Sequence, residues 1–209
     1  MQDYPSIPRA IGQAFREIPN AHIFDKLDGT SHRSEWNRKR GWYKHGARHT
    51  LVGELHPLSF FAEIPALFER TLAEPLAKIM TSLRWTSGIV YYEYWGEKSL
   101  AGFHQEGDPK FLTVFDVAGP DDEFLSPTDF RNAFEDLVPT ARYLGRVNWT
   151  RGYVDLVRKG EVEGITLEGV VAKLWTRREI IRAKAKTQAW IDRVMAAHGQ
   201  TEGTKLVES

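Results

Sequence analysis

Short strand-like segments separated by turns dominate this 209-residue chain, and only a few helical segments interrupt them. Four segments combine β-branched and aromatic residues between turn residues, which is typical of strands. These segments are residues 21–24, 88–94, 111–117 and 164–173. Strands mixed with a few helices predict an α+β fold of largely antiparallel sheets with flanking helices.

Three helices are predicted from apolar spacing and end signals. The first covers residues 64–83, where apolar side chains recur at helical spacing. The second begins at Ser126-Pro127, a side-chain N-cap followed by proline at the first helical position. Its apolar face would be formed by Phe130, Phe134 and Leu137. A third helix is predicted over residues 188–197 and would end at Gly199, leaving residues 199–209 as a mobile tail.

Composition narrows the class of protein. Lys plus Arg and Asp plus Glu number 28 each, so no global charge attracts the chain to nucleic acid or membrane. The sequence has neither an apolar run of the ~18 residues that span a bilayer nor a signal-peptide pattern, so we expect a soluble, cytoplasmic protein with no membrane partner. The absence of cysteine excludes disulfides, thiolate metal sites and cysteine nucleophiles.

Charge is nevertheless segregated along the chain. Residues 33–48 and 173–186 are strongly basic, whereas residues 121–136 are mostly acidic. If the two basic stretches converge, they would form a groove for a phosphate backbone. The alternative is that they are two ordinary solvated faces.

The tetrapeptide Lys26-Leu27-Asp28-Gly29 contains the candidate nucleophile, Lys26. A lysine amine is protonated at neutral pH, with a reference pKa of about 10.4, so a site must lower that pKa before the amine can attack. Neighbouring cations or partial burial do so, and Lys184 and Lys186 are candidates if the fold brings them close. Gly29 would let the turn approach a ligand closely. Alone, the tetrapeptide would equally suit a surface lysine before a turn.

Two strand residues are candidates for binding a nucleotide. Glu93 lies in Tyr92-Glu93-Tyr94-Trp95-Gly96, where a buried carboxylate would need hydrogen-bond donors and an exposed one would need none. Phe115 lies in Val114-Phe115-Asp116-Val117 and could stack on a base. The alternative for Phe115 is core packing, which is the usual role of an aromatic residue on a buried strand.

The segment Glu168-Gly169-Val170-Val171-Ala172-Lys173 combines a carboxylate with a lysine. Glu168 is the candidate ligand for a divalent metal, because Mg²⁺ favours a few carboxylate oxygens together with substrate phosphates. Residues 168 and 173 point to opposite faces of a regular strand, so both can serve one pocket only if the strand bends. Gly169 permits such a bend.

The segment Arg182-Ala183-Lys184-Ala185-Lys186 carries conflicting signals. Its residue types favour a helix, which would be a solvated one. In a strand, Arg182, Lys184 and Lys186 would instead share one face and could clamp phosphate. The histidines show no metal-ligand spacing and no arrangement typical of a catalytic triad.

Taken in order, these five segments resemble the nucleotidyltransferase domain of ATP-dependent ligases and mRNA-capping enzymes, and most of all the type-2 RNA ligases. The resemblance covers residues 4–186 and implies a single, ATP-grasp-like adenylyltransferase domain over residues 1–198, with Lys184 and Lys186 on a strand. Gly29-Thr30-Ser31 is similar to the Gly-Thr-Asn of RNA ligases, whereas Lys-x-Asp-Gly is shared with DNA ligases and capping enzymes.

The resemblance implies a role for each candidate residue. Lys26 would attack the α-phosphorus of ATP, and Lys184 and Lys186 would hold the α-phosphate. Glu168 would bind Mg²⁺ or Mn²⁺, either directly or through water. Glu93 would bind the ribose hydroxyls, and Phe115 would stack on adenine. The remaining contacts to the nucleotide or to RNA would come from Asp28, Gly29, Arg48 and Lys173.

We therefore expect an ATP-dependent RNA ligase that joins 5′-phosphate and 3′-hydroxyl ends of nicked or broken RNA through a lysyl-AMP intermediate. The residues after Lys186 are too few for a five-stranded OB-fold barrel, so we expect no such appendage. Nick binding would then be weak, or it would be supplied by the groove alone or by a helper protein. The expected absence of the barrel also disfavours GTP-dependent capping, because capping chemistry depends on that second domain. Two alternatives remain open: a minimal ATP-dependent DNA ligase, and a non-catalytic module that binds nucleotide or nucleic acid.

Overall fold

The computed structural model describes residues 2–9, 15–47, 50–51, 63–96, 107–176 and 179–208. The strands are β1 (Ile18–Lys26), β2 (Thr30–Asn37), β3 (Gly41–Ala47), β4 (Ser87–Trp95), β5 (Phe111–Ala118), β6 (Tyr143–Trp149), β7 (Gly169–Trp175) and β8 (Ile180–Lys186). The α-helices are α1 (Ile64–Phe68), α2 (Glu74–Ser82), α3 (Pro127–Phe134), α4 (Arg151–Lys159) and α5 (Gln188–Glu208).

The strands form two four-stranded sheets, in the orders β3-β2-β4-β5 and β6-β1-β7-β8. The pairs of β1 with β6 and β7, of β2 with β3 and β4, and of β7 with β8 are all antiparallel. The α+β fold class with largely antiparallel sheets is thereby confirmed. Each sheet belongs to one compact unit: the first unit takes its described residues from 1–5, 30–94 and 110–140, and the second from 6–29, 95–109 and 141–209.

In the first unit, the predicted helix over residues 64–83 is confirmed, with a π-helical turn (Glu69–Ala73) between α1 and α2. Pro75 lacks an N–H group, and a wider turn just before it relieves the clash of its ring with the preceding turn. Phe68 is fully buried and contacts Trp42 of β3 and Tyr92 of β4, with ring centroids 4.8 and 5.2 Å apart. The helix therefore packs on the sheet through Phe68.

The predicted start of α3 is also confirmed, because the Ser126 hydroxyl accepts a hydrogen bond from the Asp129 N–H at 3.1 Å. Phe130 and Phe134 are buried, as their helical spacing predicts. The assignment of Leu137 to the same face is wrong. The helix ends at Phe134, and Leu137 lies beyond it with 63% of its surface exposed.

His32, on β2 in the first unit, predicts an acid-sensitive fold. Burial lowers its pKa from 6.5 to about 4, and a hydrogen bond with the Gly46 backbone opposes this only partly. Between these values the unfolded chain binds a proton at His32 that the folded chain does not, so the unfolding free energy falls as the pH drops through this window. The stabilisation is complete above pH 6.5, and about 3 kcal/mol of it is lost towards pH 4.

Urea denaturation of the wild type and His32→Gln at several pH values across this window would measure that loss. The wild type should lose more stability on acidification than the variant, because the variant has no ring to titrate at this position. Equal pH dependence in the two proteins would show that His32 is not responsible.

In the second unit, β8 is a strand, as the resemblance implied, although its sequence favours a helix. Ala183 and Ala185 contribute to a buried cluster with Ile23, Val170 and Val157 of α4. Pairing of β8 with β7 and burial of this alanine face outweigh a local preference of at most about 1 kcal/mol per residue.

One strand boundary and one helix in the second unit differ from the sequence prediction. The strand predicted from residue 164 begins only at Gly169, since residues 164–168 form the loop that leads into β7. Helix α4 was not predicted, although Thr150 caps its start and Gly160, in the left-handed conformation, caps its end.

Gly199 interrupts α5, with φ 72° and ψ 172°, where the sequence predicts the helix to end. The residues predicted to form a mobile tail continue as a helix up to Glu208. Val207 is buried against Trp190 and Val194, so the apolar residues of this segment have a packing partner in the first part of α5. No helix of the described residues is long and apolar enough to span a membrane.

Candidate active site

Three neighbouring strands of the second unit bring Lys26, Glu168 and Lys186 together. Lys26 is the last residue of β1 and lies opposite Gly169, the first residue of β7. Gly169 in turn lies opposite Lys186, the last residue of β8. Glu168 directly precedes Gly169 and therefore sits between the two lysines at one end of the sheet.

The Glu168 carboxylate pairs with both lysines. Its Oε2 lies 2.9 Å from Lys26 Nζ, and its Oε1 lies 3.1 Å from Lys186 Nζ. The side chains of Glu168 and Lys186 are 4% and 6% exposed, whereas that of Lys26 is 20% exposed. One carboxylate thus pairs with two lysines, and of these three side chains only that of Lys26 is accessible to a ligand.

Lys186 lies in an environment that disfavours its charge. Burial lowers its pKa most, the nearby Lys26 and Arg9 cations lower it further, and the ion pair with Glu168 opposes this shift. Its Nζ also lies 4.2 Å from the centre of the Trp190 ring, which favours a cation. A phosphate arriving at this site would relieve the repulsion between the two ammonium groups.

In a regular strand, Glu168 and Lys173 would point to opposite faces, but the backbone at Gly169 departs from a regular strand. Its φ of +149° is a conformation that L-residues rarely adopt, and it redirects the chain where β7 begins. Glu168 therefore precedes the regular strand and reaches the lysines. Lys173 lies opposite Arg182 of β8, whose side chain shares one face with Lys184 and Lys186.

A row of basic residues crosses the same face of this sheet. Arg146, His22, Lys173 and Arg182 lie directly opposite one another on the four strands. Arg146 Nε donates to His22 Nε2 at 3.0 Å, and Lys173 Nζ lies 4.9 Å from the centre of the Phe24 ring. Because His22 accepts this hydrogen bond through a ring nitrogen that carries no proton, the cations of the row are Arg146, Lys173 and Arg182. Of these residues, His22 and Lys173 are buried.

The other candidate residues are distributed between the two units. Asp28 and Gly29 form a half-buried bend directly after β1 in the second unit. Glu93 and Phe115 lie on β4 and β5 of the first unit, where both are half-buried. Arg48 lies outside the described residues.

The environments of Glu93 and Phe115 differ. Tyr92 and Tyr94 are buried, so Glu93 points to the opposite side of β4. The Phe115 ring packs edge-on against Tyr4, with centroids 4.9 Å apart, as part of an aromatic cluster. Phe115 therefore has a packing role, while its stacking on adenine stays a prediction.

Arg33 does not belong to a phosphate-binding surface, although it opens the first basic stretch. It is 5% exposed, and its Nη1 pairs with Asp3 Oδ1 at 2.7 Å. The exposed cations of this stretch include Arg38, Lys39 and Arg40, at the turn between β2 and β3.

Sequence reasoning missed Asp25, Thr166 and Thr187, whose hydrogen bonds hold the loop that ends at Glu168. Asp25 is buried next to Lys26, and its carboxylate accepts hydrogen bonds from the Thr166 N–H and hydroxyl. Thr187 follows Lys186, and its N–H donates to the Glu168 carbonyl at 2.8 Å. For Asp25 and Thr187, the available signal was their position beside the lysines. Asp25 gave a second signal, because an aspartate on an apolar strand needs a buried partner. Thr166 gave neither.

Glu168 fits a divalent metal that takes most of its ligands from substrate phosphates and water. Among the described residues, no three His, Cys, Asp or Glu side chains converge on one point. Glu168 offers a single carboxylate beside two cations. Mg²⁺ commonly binds one or two carboxylates together with substrate phosphates and water, and this site matches that pattern once a phosphate is present.

Comparison with known proteins identifies the fold. No protein-family model matches the chain, and no curated protein does. An archaeal ATP-dependent RNA ligase superposes with a TM-score of 0.67 at 17% identity, covering 94% of this chain and 51% of that one. A protein of Aquifex aeolicus described as an ATP-dependent DNA ligase gives a TM-score of 0.65 at 20% identity, covering 99% and 55%.

A Naegleria gruberi RNA ligase variant, solved with ATP and Mn, gives a TM-score of 0.59 at 14% identity, covering 84% of this chain and 52% of that one. The chain thus shares its fold with part of these ligase chains. It spans about half the length of the chains that it matches.

Proposed function

We propose that this chain is an ATP-dependent polynucleotide ligase with RNA as its preferred substrate, and that Lys26 carries AMP covalently. The observation that carries the proposal is the Glu168 carboxylate shared between Lys26 and Lys186. The ligase fold and the order of the five sequence segments support it independently.

The geometry suits a lysine nucleophile. Lys26 is partly exposed at the end of β1, so its amine can reach a bound nucleotide, while Glu168 and Lys186 are buried and held by the sheet. The Glu168 Oε2 atom lies 2.9 Å from Nζ and can accept the proton that the amine must lose. Lys186 remains as a cation that neutralises the charge developing on the phosphoryl group.

In the first step, Lys26 Nζ forms a bond to the α-phosphorus of ATP as the bond to pyrophosphate breaks, and Glu168 or solvent takes the proton. In the second step, an oxygen of a 5′-phosphate end displaces the lysine from phosphorus, and the amine leaves with a proton. In the third step, a 3′-hydroxyl oxygen bonds to the phosphorus of that 5′-phosphate as the bond to AMP breaks. The hydroxyl proton goes to solvent, and the backbone is closed. Positioning and charge neutralisation account for most of the catalysis.

A divalent cation completes the proposed site. Glu168 would hold Mg²⁺ or Mn²⁺ together with the nucleotide phosphates, and the ion would neutralise negative charge there when bound. Lys184, on the same sheet face as Lys186, would contact the α-phosphate. Glu93 and Phe115 would bind the ribose and adenine, and Asp28, Gly29, Arg48 and Lys173 would supply further contacts.

Intact-mass measurement tests the covalent step. The purified protein is incubated with ATP or GTP in the presence of Mg²⁺ or Mn²⁺. We expect a single AMP adduct that depends on ATP and on the metal, because the lysine needs an adenylyl donor with its phosphates neutralised. Absence of any adduct under all four conditions would favour a non-catalytic binding module or a partner-dependent subunit.

Nicked duplexes test the substrate class. Gly29-Thr30-Ser31 favours RNA, whereas Lys26-x-Asp28-Gly29 and the likeness to the Aquifex aeolicus protein leave a DNA ligase as the second candidate. Duplexes that differ only in whether the strand with the 3′-hydroxyl is RNA or DNA should be sealed faster with RNA. Faster sealing of the all-DNA nick would assign the chain to the DNA ligases. A helper protein would be revealed by faster sealing after cell extract is added.

A further inference from the structure

Glu168 occupies the centre of the site, yet it belongs to no regular element. It ends the loop between α4 and β7, and Gly169 changes the direction of the backbone directly after it. A carboxylate at the end of a loop holds a fixed position only if its flanking residues are held. Two groups of hydrogen bonds do this, and each originates next to one of the paired lysines.

The first group is centred on Asp25, the neighbour of Lys26. The Asp25 side chain is 2% exposed, and its Oδ1 accepts the Thr166 N–H at 3.0 Å. Its Oδ2 accepts the Thr166 hydroxyl and lies 3.2 Å from Arg142 Nη2. The backbone N–H of Asp25 also donates to the Arg142 carbonyl at 2.8 Å. Asp25 thus attaches the loop to β1 at a point two residues before Glu168.

The second group is centred on Thr187, the neighbour of Lys186. Its hydroxyl donates to the Leu167 carbonyl at 2.7 Å, and its N–H donates to the Glu168 carbonyl at 2.8 Å. The same hydroxyl accepts the Trp190 N–H at 3.1 Å, so Thr187 also caps the start of α5. Thr187 therefore attaches the loop to β8 at Glu168 itself.

The central residues of the two groups, Asp25 and Thr187, cannot contact a ligand directly. Asp25 and Lys26 are adjacent in a strand, so their side chains point to opposite faces of the sheet. Asp25 and Thr187 are both buried. Asp25 and Thr187 therefore act through the residues that they hold, and the loop that ends at Glu168 is held by both.

We propose that Asp25, Thr166 and Thr187 are positioning residues that hold the Glu168 carboxylate between Lys26 and Lys186. This inference rests on the proposed function for its catalytic consequence, but the geometry of the ion pairs can be tested without it. The alternative is that the same hydrogen bonds only stabilise the fold. The two differ in one respect: positioning residues change the reactivity of Lys26 through Glu168, whereas purely stabilising bonds do not.

Thr166→Val and Thr187→Val remove one hydroxyl each and keep the shape of the side chain. Thr150→Val is the matched control, because Thr150 also caps a helix of the second unit, accepting the Tyr153 N–H at 3.3 Å, and has no hydrogen bond to the Glu168 loop in the described structure. Asp25→Asn removes the charge on the other attachment. Thermal unfolding shows whether each variant is folded. If Asp25→Asn does not fold, the two threonine variants are sufficient to test the positioning role.

The first readout is acetylation of Lys26 in the nucleotide-free protein, followed by peptide mass spectrometry. The Lys26 amine lies 2.9 Å from the Glu168 carboxylate, and an amine held in such a contact reacts more slowly with the reagent than one released from it. Glu168→Gln weakens this contact and should therefore speed labelling of Lys26 roughly tenfold. Thr166→Val and Thr187→Val should move the rate in the same direction, and combining either with Glu168→Gln should add nothing. Thr150→Val should label as the wild type does.

The second readout is the rate of AMP adduct formation at saturating ATP, which should fall roughly tenfold in Thr166→Val and Thr187→Val but not in Thr150→Val. Labelling rates in the two variants that match Thr150→Val, or that add to the effect of Glu168→Gln, would overturn the positioning role. If the wild type forms no adduct, the proposed function fails, while the labelling experiment still decides the inference.

Discussion

Lys26→Ala should form no detectable AMP adduct, a loss on the order of 10³-fold or more, because the amine that bonds to phosphorus is gone. Lys26→Arg is the more informative variant. A guanidinium keeps the positive charge beside Glu168, but it is not deprotonated in proteins and cannot act as a nucleophile. Intact mass after incubation with ATP and Mg²⁺ measures both variants.

Lys159→Ala is the matched control for these substitutions, because Lys159 is an exposed lysine at the end of α4 in the same unit. It should form the adduct at the wild-type rate. An adduct of normal yield in Lys26→Arg would mean that another amine carries AMP. Lys186 would then be the first alternative, since it shares the same carboxylate.

Gly169→Ala should destabilise the protein by roughly 3 to 5 kcal/mol and abolish adduct formation. The φ of Gly169 is +149°, and an added Cβ atom would lie 2.0 Å from the Ala185 carbonyl oxygen and 2.8 Å from the Lys186 Cα atom. These are backbone atoms of the neighbouring strand, so relief requires β7 and β8 to separate. That separation would move Glu168 away from Lys186. Urea denaturation measures the loss of stability.

Gly145→Ala separates backbone strain from steric overlap. Gly145, on β6, has a φ of +113°, yet an added Cβ there would have no neighbour within 4 Å. It should therefore show the strain alone, about 1 to 3 kcal/mol, and retain adduct formation. If Gly169→Ala were no more destabilised than Gly145→Ala, close packing of β7 against β8 would not be what requires glycine at position 169.

Local signals in the sequence predicted several elements correctly. The helix over residues 64–83 has the apolar spacing of a buried helix, and Ser126-Pro127 has a capping side chain followed by a residue suited to the first turn. Such signals act over three or four residues, so they survive in any fold that offers a packing surface. Leu137 shows the limit of this reasoning, because spacing alone does not reveal where a helix ends.

The β8 strand shows the opposite situation. Its residues favour a helix, and the strand exists because β7 supplies hydrogen bonds on one side and α4 supplies a surface for Ala183 and Ala185. Neither partner is encoded within the segment. The residues after Gly199 similarly look mobile in sequence, but they form a helix because Trp190 and Val194 provide a surface for Val207.

By itself the sequence determined the α+β class and which side chains could carry the chemistry, because residue types and local periodicity are properties of short segments. It named Lys26, Glu168 and Lys186 without saying that one carboxylate serves both lysines. Only the tertiary structure decided that, since the contact depends on the register of β1 and β8 against Gly169. The roles of Asp25 and Thr187 likewise appear only in the tertiary structure. Asp25 bonds to a residue 141 positions away and Thr187 to one 20 positions away, and such distant hydrogen bonds leave no local pattern in the sequence.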